Sequence, residues 1–536
     1  MSRASRLIGR EPALAAASSV VDDAHRGAGQ FLMISGEAGI GKTAMLAALI
    51  GQAGPAPLVL RGFCWEGDGA PPYWPWSQVL RASGLPAAEL GEAGWLLQSG
   101  PGAAEPASAA AEPANAAAAA DAQFRLFEAM SRCLGRLAAG SGFRAVLVVL
   151  DDLHWADEPS LRLLRFLARA LTARAVLLLG AYRDTEASGL LREVAGQAQQ
   201  LVLTGLTPDD VGALAEALAG TSLPAQVTAG LWQRSGGNPF FVRELTRLLA
   251  AQGSWHQPAQ IPASVAETLR RRLARLSTEC VRLLERAAVA GRDIDVSLLV
   301  PSAAPGQEPA VLSLLDEARQ AGVIAGTAPP AFTHDLYREA ILDGLNSTAR
   351  AAINLSVGRA LQARSGPAAR VAAHLLAAGP QAWPDALEYS LLAAREATGR
   401  LGHEDACAHY LRALDIISAS DVATARRVGI LLELAASHER TGQSGQAARR
   451  FRQAADASRA TGDPVPLARA ALGIQTLGYR SGAQNAELLD LLREASRRLE
   501  EASGPLALRS RVLAAQARTL RHGSGRRPGA EVTQVA

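Results

Sequence analysis

Gly36-Glu37-Ala38-Gly39-Ile40-Gly41-Lys42-Thr43 satisfies the spacing GxxxxGK[ST], a pattern whose chemistry is the holding of phosphate. Glycines let backbone N–H groups converge on phosphate oxygens, and a helix that starts at the lysine brings the positive end of its dipole to the same anion. Lys42 would reach the β- and γ-phosphates of a nucleotide, and the Thr43 hydroxyl would serve a Mg²⁺ ion. The lysine is conspicuous on other grounds too. Among 54 basic residues it is the single lysine, in a chain that otherwise uses arginine, whose planar guanidinium does not replace a compact ammonium. A second, acidic half-site lies downstream, where the apolar run Ala145-Val146-Leu147-Val148-Val149-Leu150 ends in Asp151-Asp152. Asp151 would hold Mg²⁺ directly or through water, and Asp152 would orient the water that attacks the γ-phosphate or accept its proton. Alone, that run reads as a strand entering a polar turn. Paired with the upstream loop, it reads as the other half of one catalytic pocket.

Both halves need a sheet to bring them together. Phe31-Leu32-Met33-Ile34-Ser35 precedes the glycine loop, so the order strand, loop, helix is expected, with the helix running from Lys42 through Leu49. Three more apolar runs, 57–60, 175–179 and 201–203, alternate with helical stretches. That alternation predicts an α/β P-loop NTPase, a doubly wound parallel sheet whose ligand sits at the carboxyl ends of the strands. Arg183, four residues beyond Leu179, would then read the γ-phosphate or serve as an exposed structural arginine.

Composition bounds the rest. A chain of 536 residues exceeds what one core usually supports, and 49% hydrophobic with 20% charged residues is globular usage. A net charge of +3 gives no overall match to nucleic acid. The absence of long apolar runs and of a cleavable leader argues against a membrane span or secretion. Cys64, Cys133, Cys280 and Cys407 are widely spaced, so free thiols, no zinc site and a cytoplasmic location are expected.

Several phrases carry a family resemblance. Leu7-Ile8-Gly9-Arg10-Glu11, the GEAGIGKT loop, Leu150-Asp151-Asp152-Leu153-His154-Trp155-Ala156-Asp157, Gly180-Ala181-Tyr182-Arg183-Asp184 and Gly237-Asn238-Pro239-Phe240 together resemble the STAND-type signal-transducing ATPases with an Orc1-like AAA domain. Such domains occur in large ATP-binding LuxR-type regulators and beside bacterial adenylate cyclase domains. The resemblance spans roughly residues 5 to 350. It implies ATP/ADP and Mg²⁺ as ligands, Arg10 near the adenine, Pro239 packed on the base from a helical lid, and Arg183 sensing the terminal phosphate. Phe332-Thr333-His334-Asp335 resembles the MHD motif of the same wider class, which implies that His334 touches the β-phosphate of ADP and keeps the module closed. Read as residues alone, Gly237-Asn238-Pro239 also fits a turn between helices, and Asp335 also fits a helix cap with His334 filling an interface. His154 and Trp155 read as packed loop residues.

The expected organisation is a P-loop core over 1–205, a helical lid over 206–260, a winged-helix-like regulatory module over 261–350, TPR-like helical repeats over 351–520 and a flexible tail over 521–536. Within the third segment, helices are expected at 264–276, 279–290 and 311–320 with a pair of short strands, none strongly basic. Residues 100–120 form a low-complexity insertion. Trp65, Tyr73, Trp74 and Trp76 lie among prolines and favour a packed loop core over a partner contact. The repeats rest on a period of 41, in which Ala406, Tyr410 and Ala413 recur as Ala447, Phe451 and Ala454, with Leu492 and Ala495 continuing. Such an array offers a concave surface for a protein or small-molecule signal, and plain helical packing explains the pattern equally well. No recognition helix fits the last sixteen residues, so direct DNA binding is not expected. Self-association and a separate or missing output domain belong to the same resemblance. The function expected is a Mg²⁺-dependent, ATP-binding switch with slow hydrolysis; a repeat scaffold with a structural nucleotide, or a regulator acting on DNA through another domain, are the alternatives.

Overall fold

Five apolar runs form one sheet. β1 (Gln30–Ser35), β2 (Leu58–Phe63), β3 (Val146–Asp151), β4 (Val176–Tyr182) and β5 (Gln199–Val202) lie in the order β2-β3-β4-β1-β5, with every neighbouring pair parallel. β3 and β4 are buried at every position, as continuous apolar strands covered on both faces should be. β5 is the polar edge, with Gln199, Gln200 and Val202 exposed. The computed structural model describes residues 7–52, 57–65, 70–97, 116–140, 145–252, 265–291, 294–299, 308–326, 330–419, 424–481 and 485–523.

Alternation along each strand divides the core in two. Leu32, Ile34, Leu147, Val149, Leu177 and Leu179 pack with α1 (Glu11–His25) and α2 (Lys42–Gln52). On the other face, Met33, Val146, Val148 and Leu178 pack with α3 (Trp74–Ser83), α4 (Ala87–Leu90), α5 (Ala116–Ala139), α6 (Glu158–Ala170) and α7 (Gly189–Ala195). Tyr73 and Trp76 are fully buried there, and the Trp76 indole donates to the Ser160 carbonyl at 3.1 Å. These two aromatics of the proline-rich phrase are thus core.

Three helices follow, α8 (Pro208–Ala219), α9 (Ala225–Ser235) and α10 (Pro239–Gln252), around Val211, Leu231, Val242 and Leu245. Thr207 caps α8, and left-handed Gly220 and Gly236 end α8 and α9. Next come α11 (Val265–Leu273), α12 (Thr278–Ala290), α13 (Val296–Leu299) and α14 (Glu308–Gln320), an antiparallel ribbon of β6 (Ile324–Ala325) and β7 (Ala331–Phe332), and α15 (Asp335–Gly344). They share one core around Cys280, Leu284, Leu315, Phe332 and Tyr337.

The chain divides into two compact units, one within Met1–Ala103 and Arg125–Ala382 and the other within Ala104–Phe124 and Trp383–Ala536. Residues 351–382, grouped by sequence with the repeats, fall in the first. There α16 (Ser347–Ala363) and α17 (Ala368–Ala377) are tied to each other by Asn354 and His374 at 2.9 Å, and to α12 by Arg286 on Ser356 and Arg370 on the Ala290 carbonyl. Polar bonds to α12, invisible to helical periodicity, decide where these two helices belong.

The second unit contains α18 (Trp383–Gly399), α19 (His403–Ala419), α20 (Thr424–Arg440), α21 (Ser444–Thr461), α22 (Pro464–Ser481), α23 (Asn485–Glu501) and α24 (Leu506–Gly523). Sequential neighbours pack on one another. All eight residues of the 41-residue pattern are buried. The bulky member sets the spacing: a Cβ at Gly473 of α22 would lie 2.4 Å from the Phe451 ring of α21, so only glycine lets these helices approach so closely. Most of the low-complexity insertion, the expected lid boundary at 260 and nearly all of the tail lie outside the described residues. Among the described residues no helix is long and apolar enough to cross a membrane.

Candidate functional site

Strand register places the functional residues. β1 ends at Ser35, paired with Tyr182 of β4, and β2 ends at Phe63, paired with Asp151 of β3. Gly36, Asp152 and Arg183 therefore leave the sheet at one edge, with Arg183 rising from the strand between the other two. Parallel order makes this the carboxyl end of every strand, where open α/β sheets bind ligands.

The glycine loop wraps the start of α2. Lys42 is buried, and its Nζ donates to the carbonyls of Gly36 and Glu37, both at 2.9 Å, so the ammonium is folded back over its own loop. Burial and the nearby Arg183 cation push Lys42 below the ordinary lysine range, against the pull of Asp152, Asp151 and Asp335. Such a lysine gains from any anion that enters. Gly39 is needed for a different reason: its φ is +78°, and a Cβ there would meet Asn238 Oδ1 and Phe240 Cβ at 2.9 Å. The start of α10, read above as part of a lid, rests directly on the loop at that point.

Thr43 Oγ1 donates to Asp151 Oδ2 at 2.9 Å, joining the two half-sites across 108 residues of sequence. A hydroxyl and a carboxylate converging on one point form an oxygen pair suited to a hard divalent cation. Asp151 also accepts from the Asp152 N–H through its other oxygen at 3.0 Å, which fixes the carboxylate plane. Asp152 is buried with φ +57°, the left-handed turn that begins the loop after β3.

Arg183 is gripped from two sides. Its guanidinium pairs with Glu186 at 2.8 Å, Glu339 at 3.1 Å and Asp335 at 3.3 Å, and lies 5.4 Å above the Trp155 ring. His154 stacks beside Trp155 with ring centroids 4.5 Å apart. The aromatic that reads as loop packing is therefore the seat of the arginine.

On the lid side, Asn238 does two jobs. Its Oδ1 accepts from Phe240 N at 3.1 Å, capping α10, and its Nδ2 donates to the Ala38 carbonyl at 2.8 Å. Pro239 opens the helix, where a missing N–H costs nothing. Phe240 lies 4.2 Å, centroid to centroid, from the His334 imidazole. His334 Nδ1 accepts from Leu336 N at 3.2 Å, capping α15, so the neutral ring carries its proton on Nε2. The cap expected of Asp335 is made by His334 instead.

Arg10, Gly39, Ile40, Gly41, Lys42, Thr43, Ala38, Asp152, Arg183, Pro239 and His334 all border one cavity of about 320 Å³. Gly36, Glu37 and Asp151 stand behind that wall, bonded to Lys42 and Thr43. Arg10 touches the cavity, yet its guanidinium donates to the carbonyls of Ile40 at 3.1 Å and Thr204 at 2.6 Å. It thereby pins the loop to the segment after β5. Four contributors escaped sequence reasoning: Trp155, Glu186, Glu339 and Arg243, the last also on the cavity wall. Only Trp155 had a signal, its place three residues beyond the strand-end acids.

Parallel sheet, glycine loop and strand-end acids define a P-loop NTPase fold. Residues 6–179 match the family described as AAA ATPase domain, so this segment is an AAA ATPase domain, a nucleotide-binding module. No curated protein matches the chain at a significant level. Among solved structures, the chain is similar to a signal transduction ATPase with numerous domains (STAND) protein with a tetratricopeptide repeat sensor from Pyrococcus horikoshii, at 14% identity, covering 94% of this chain and 73% of that one with a TM-score of 0.43. It is also similar to Cdc6p from Pyrobaculum aerophilum, at 13% identity over 63% of this chain and 94% of that one with a TM-score of 0.32.

Proposed function

We propose that the chain is an ATP-binding, Mg²⁺-dependent signalling switch whose AAA core, lid and α15 close over the nucleotide. One observation carries this reading: Lys42 with Thr43, Asp152, Arg183 and His334, drawn from four segments, border a single cavity. In this reading Lys42 leaves the carbonyls of Gly36 and Glu37 for the β- and γ-phosphates, and the loop amides add their donors. Thr43 and Asp151 hold Mg²⁺, which when bound draws charge from the phosphate oxygens. Asp152 orients water, Arg183 takes the terminal phosphate, and Pro239 with Phe240 lines the lid side. In this reading the His334 Nε2–H donates to ADP while Nδ1 stays engaged in the cap.

The segment from α11 to α15 serves as the winged-helix module of the switch, and the helical repeats of the second unit serve as its sensor. Hydrolysis is slow, because a switch needs a long-lived bound state. Arg183 held by Asp335 and Glu339 favours the ADP-like state over one ready for ATP. The LuxR-type regulator class is the setting this reading favours. Calorimetry in Mg²⁺ tests the core of it: wild type binds ATP and ADP, and Lys42→Ala abolishes both; unchanged affinity in that variant would refute the site.

A further inference from the structure

We propose that a recess between the carboxyl ends of α5 and α6 is a second ligand site, built for the phosphate group of a small phosphate monoester. It is independent of the nucleotide reading above. The recess holds about 250 Å³, against about 320 Å³ for the nucleotide cavity. Arg132, Arg136, Arg174, Ser131 and three small residues line it, and among the described residues no carboxylate does. Because α5 leads into β3 and α6 into β4, the recess lies at the amino ends of these strands. Their carboxyl ends carry Asp151 and Arg183, about 20 Å away at the usual rise of a six-residue strand.

Helix ends explain only part of this charge. A cation in the last turn of a helix is stabilised by the negative end of its dipole, and Arg136 of α5 and Arg169 of α6 hold those two places. Arg132 stands one turn earlier, and Arg174 lies beyond α6, in the loop before β4. Neither is called for by a helix end. Nor does the protein itself satisfy all three arginines. Arg132 meets Glu128 at 3.5 Å, but both side chains are exposed and water screens the pair. Arg136 gives one nitrogen to the Glu89 carbonyl at 3.2 Å. Among the described residues the Arg174 guanidinium has no hydrogen bond or ion pair, and the Ser131 hydroxyl has no hydrogen bond.

Geometry gathers these groups. Arg132 and Arg136, like Ser131 and Gly135, are four residues apart on α5 and so share a face. Arg174 closes the recess from the other side, its guanidinium 3.7 Å from where a Cβ on Gly135 would stand. The two helix ends subtract roughly half a charge each from the three cations, leaving a charge of about +2. That matches a phosphate monoester, which carries about −1.5 to −2 at neutral pH, better than a triphosphate. Concave walls concentrate the field, guanidinium groups take phosphate oxygens in pairs, and the Ser131 hydroxyl adds a donor. A volume just below the common range of small-molecule pockets, about 300–1,000 Å³, keeps the organic part of the ligand small.

The test is isothermal titration of glucose 6-phosphate, inorganic phosphate and glucose into wild type, Lys42→Ala, Arg174→Gln and Ala170→Glu, at low and at physiological salt. Arg174 and Ala170 are exposed, so both substitutions are expected to leave the thermal midpoint and ADP affinity at the wild-type value. Glucose 6-phosphate and phosphate should bind wild type and Lys42→Ala alike, and glucose should bind neither. Arg174→Gln should weaken both phosphate compounds by about tenfold, the effect of one charge-assisted bond. Ala170→Glu, which gives the recess a carboxylate of its own, should abolish their binding. The inference is overturned if no phosphate compound binds wild type at physiological salt, or if both recess variants bind as wild type does. Loss of binding in Lys42→Ala also overturns it, because the phosphate would then occupy the glycine loop.

Discussion

Asp335→Asn is the sharpest probe of how the proposed nucleotide site would distinguish ATP from ADP. Arg183 is only 8% exposed, and the two carboxylates that α15 offers it differ in burial, 12% for Asp335 and 40% for Glu339. For Arg183 to reach a terminal phosphate, both pairs must break. A buried charge-assisted bond of the Asp335 kind contributes about 1.5–3 kcal/mol, whereas water screens the Glu339 pair to at most about 1 kcal/mol. Asparagine keeps a neutral acceptor, so Asp335→Asn should lower the cost of moving Arg183 by about 1.5 kcal/mol, or about tenfold in the ATP-to-ADP affinity ratio. Glu339→Gln should change that ratio only about two- to threefold. Asp335 also acts on Lys42, and removing its charge relieves repulsion of every phosphate, so both nucleotides bind more tightly. The ratio is therefore the diagnostic, measured by competition calorimetry with Arg183→Gln as control. An unaltered ratio in Asp335→Asn, with wild-type folding, would show that Arg183 is not withheld from the nucleotide.

Two further outcomes follow from other groups. His334→Ala removes the Nε2 donor, the cap of α15 and the ring against Phe240, so release of a fluorescent ADP analogue should quicken by about tenfold in stopped flow; an unchanged rate removes the histidine clamp. Acid stability should be set by two buried histidines, one in each compact unit, since burial and nearby arginines hold His374 down to about 4 and His403 to about 3. Above pH ~6.5 both are neutral whether folded or not; below it the unfolded chain takes up protons that the folded chain refuses. Stability is then lost as pH falls towards 4, on the order of 2 kcal/mol per histidine at pH 5. Thermal midpoints from pH 7 to 5 should fall accordingly, and His403→Phe should flatten the trend for the second unit; a midpoint that ignores pH there contradicts the expectation.

The sheet was legible because its strands are buried on both faces, so their apolar runs stand out against polar turns. All five strands lie where the runs predict, though β2 and β4 extend further, to Phe63 and Tyr182. The loop and the acids were legible for a chemical reason: phosphate and metal demand particular residues at fixed spacing. What escaped was any contact made by a common residue in a unique place. Glu339 is one glutamate on one amphipathic helix, and nothing in its neighbours announces Arg183, 156 residues away. Asn354 and His374 likewise pair across two helices whose periodicity matches any helical repeat. Arg10 lies at the expected cavity, yet only three-dimensional geometry reveals that carbonyls already engage it.

The packing of α15 decides which joint yields if the module opens. Its Tyr337 hydroxyl is fully buried, donates to Glu244 of α10 and accepts from Arg272 of α11 at 2.9 Å, while Glu244 is itself only 5% exposed. Burial and the Glu244 carboxylate push that hydroxyl up and hold it protonated as a donor. Two residues before α15's Leu336, His334 packs on Phe240, again of α10. Three partners thus fasten α15 to the lid and its neighbour, and breaking them would strand a buried carboxylate, at roughly 3–5 kcal/mol. Arg183 ties the core to α15 by one mostly buried and one half-exposed carboxylate, Asp335 and Glu339, and a phosphate, carrying more charge, would compete with both for that arginine. The weaker joint is therefore the one between core and α15. Opening should carry α15 away with the lid as one body, and the residue proposed to feel the third phosphate would be the same one that lets go.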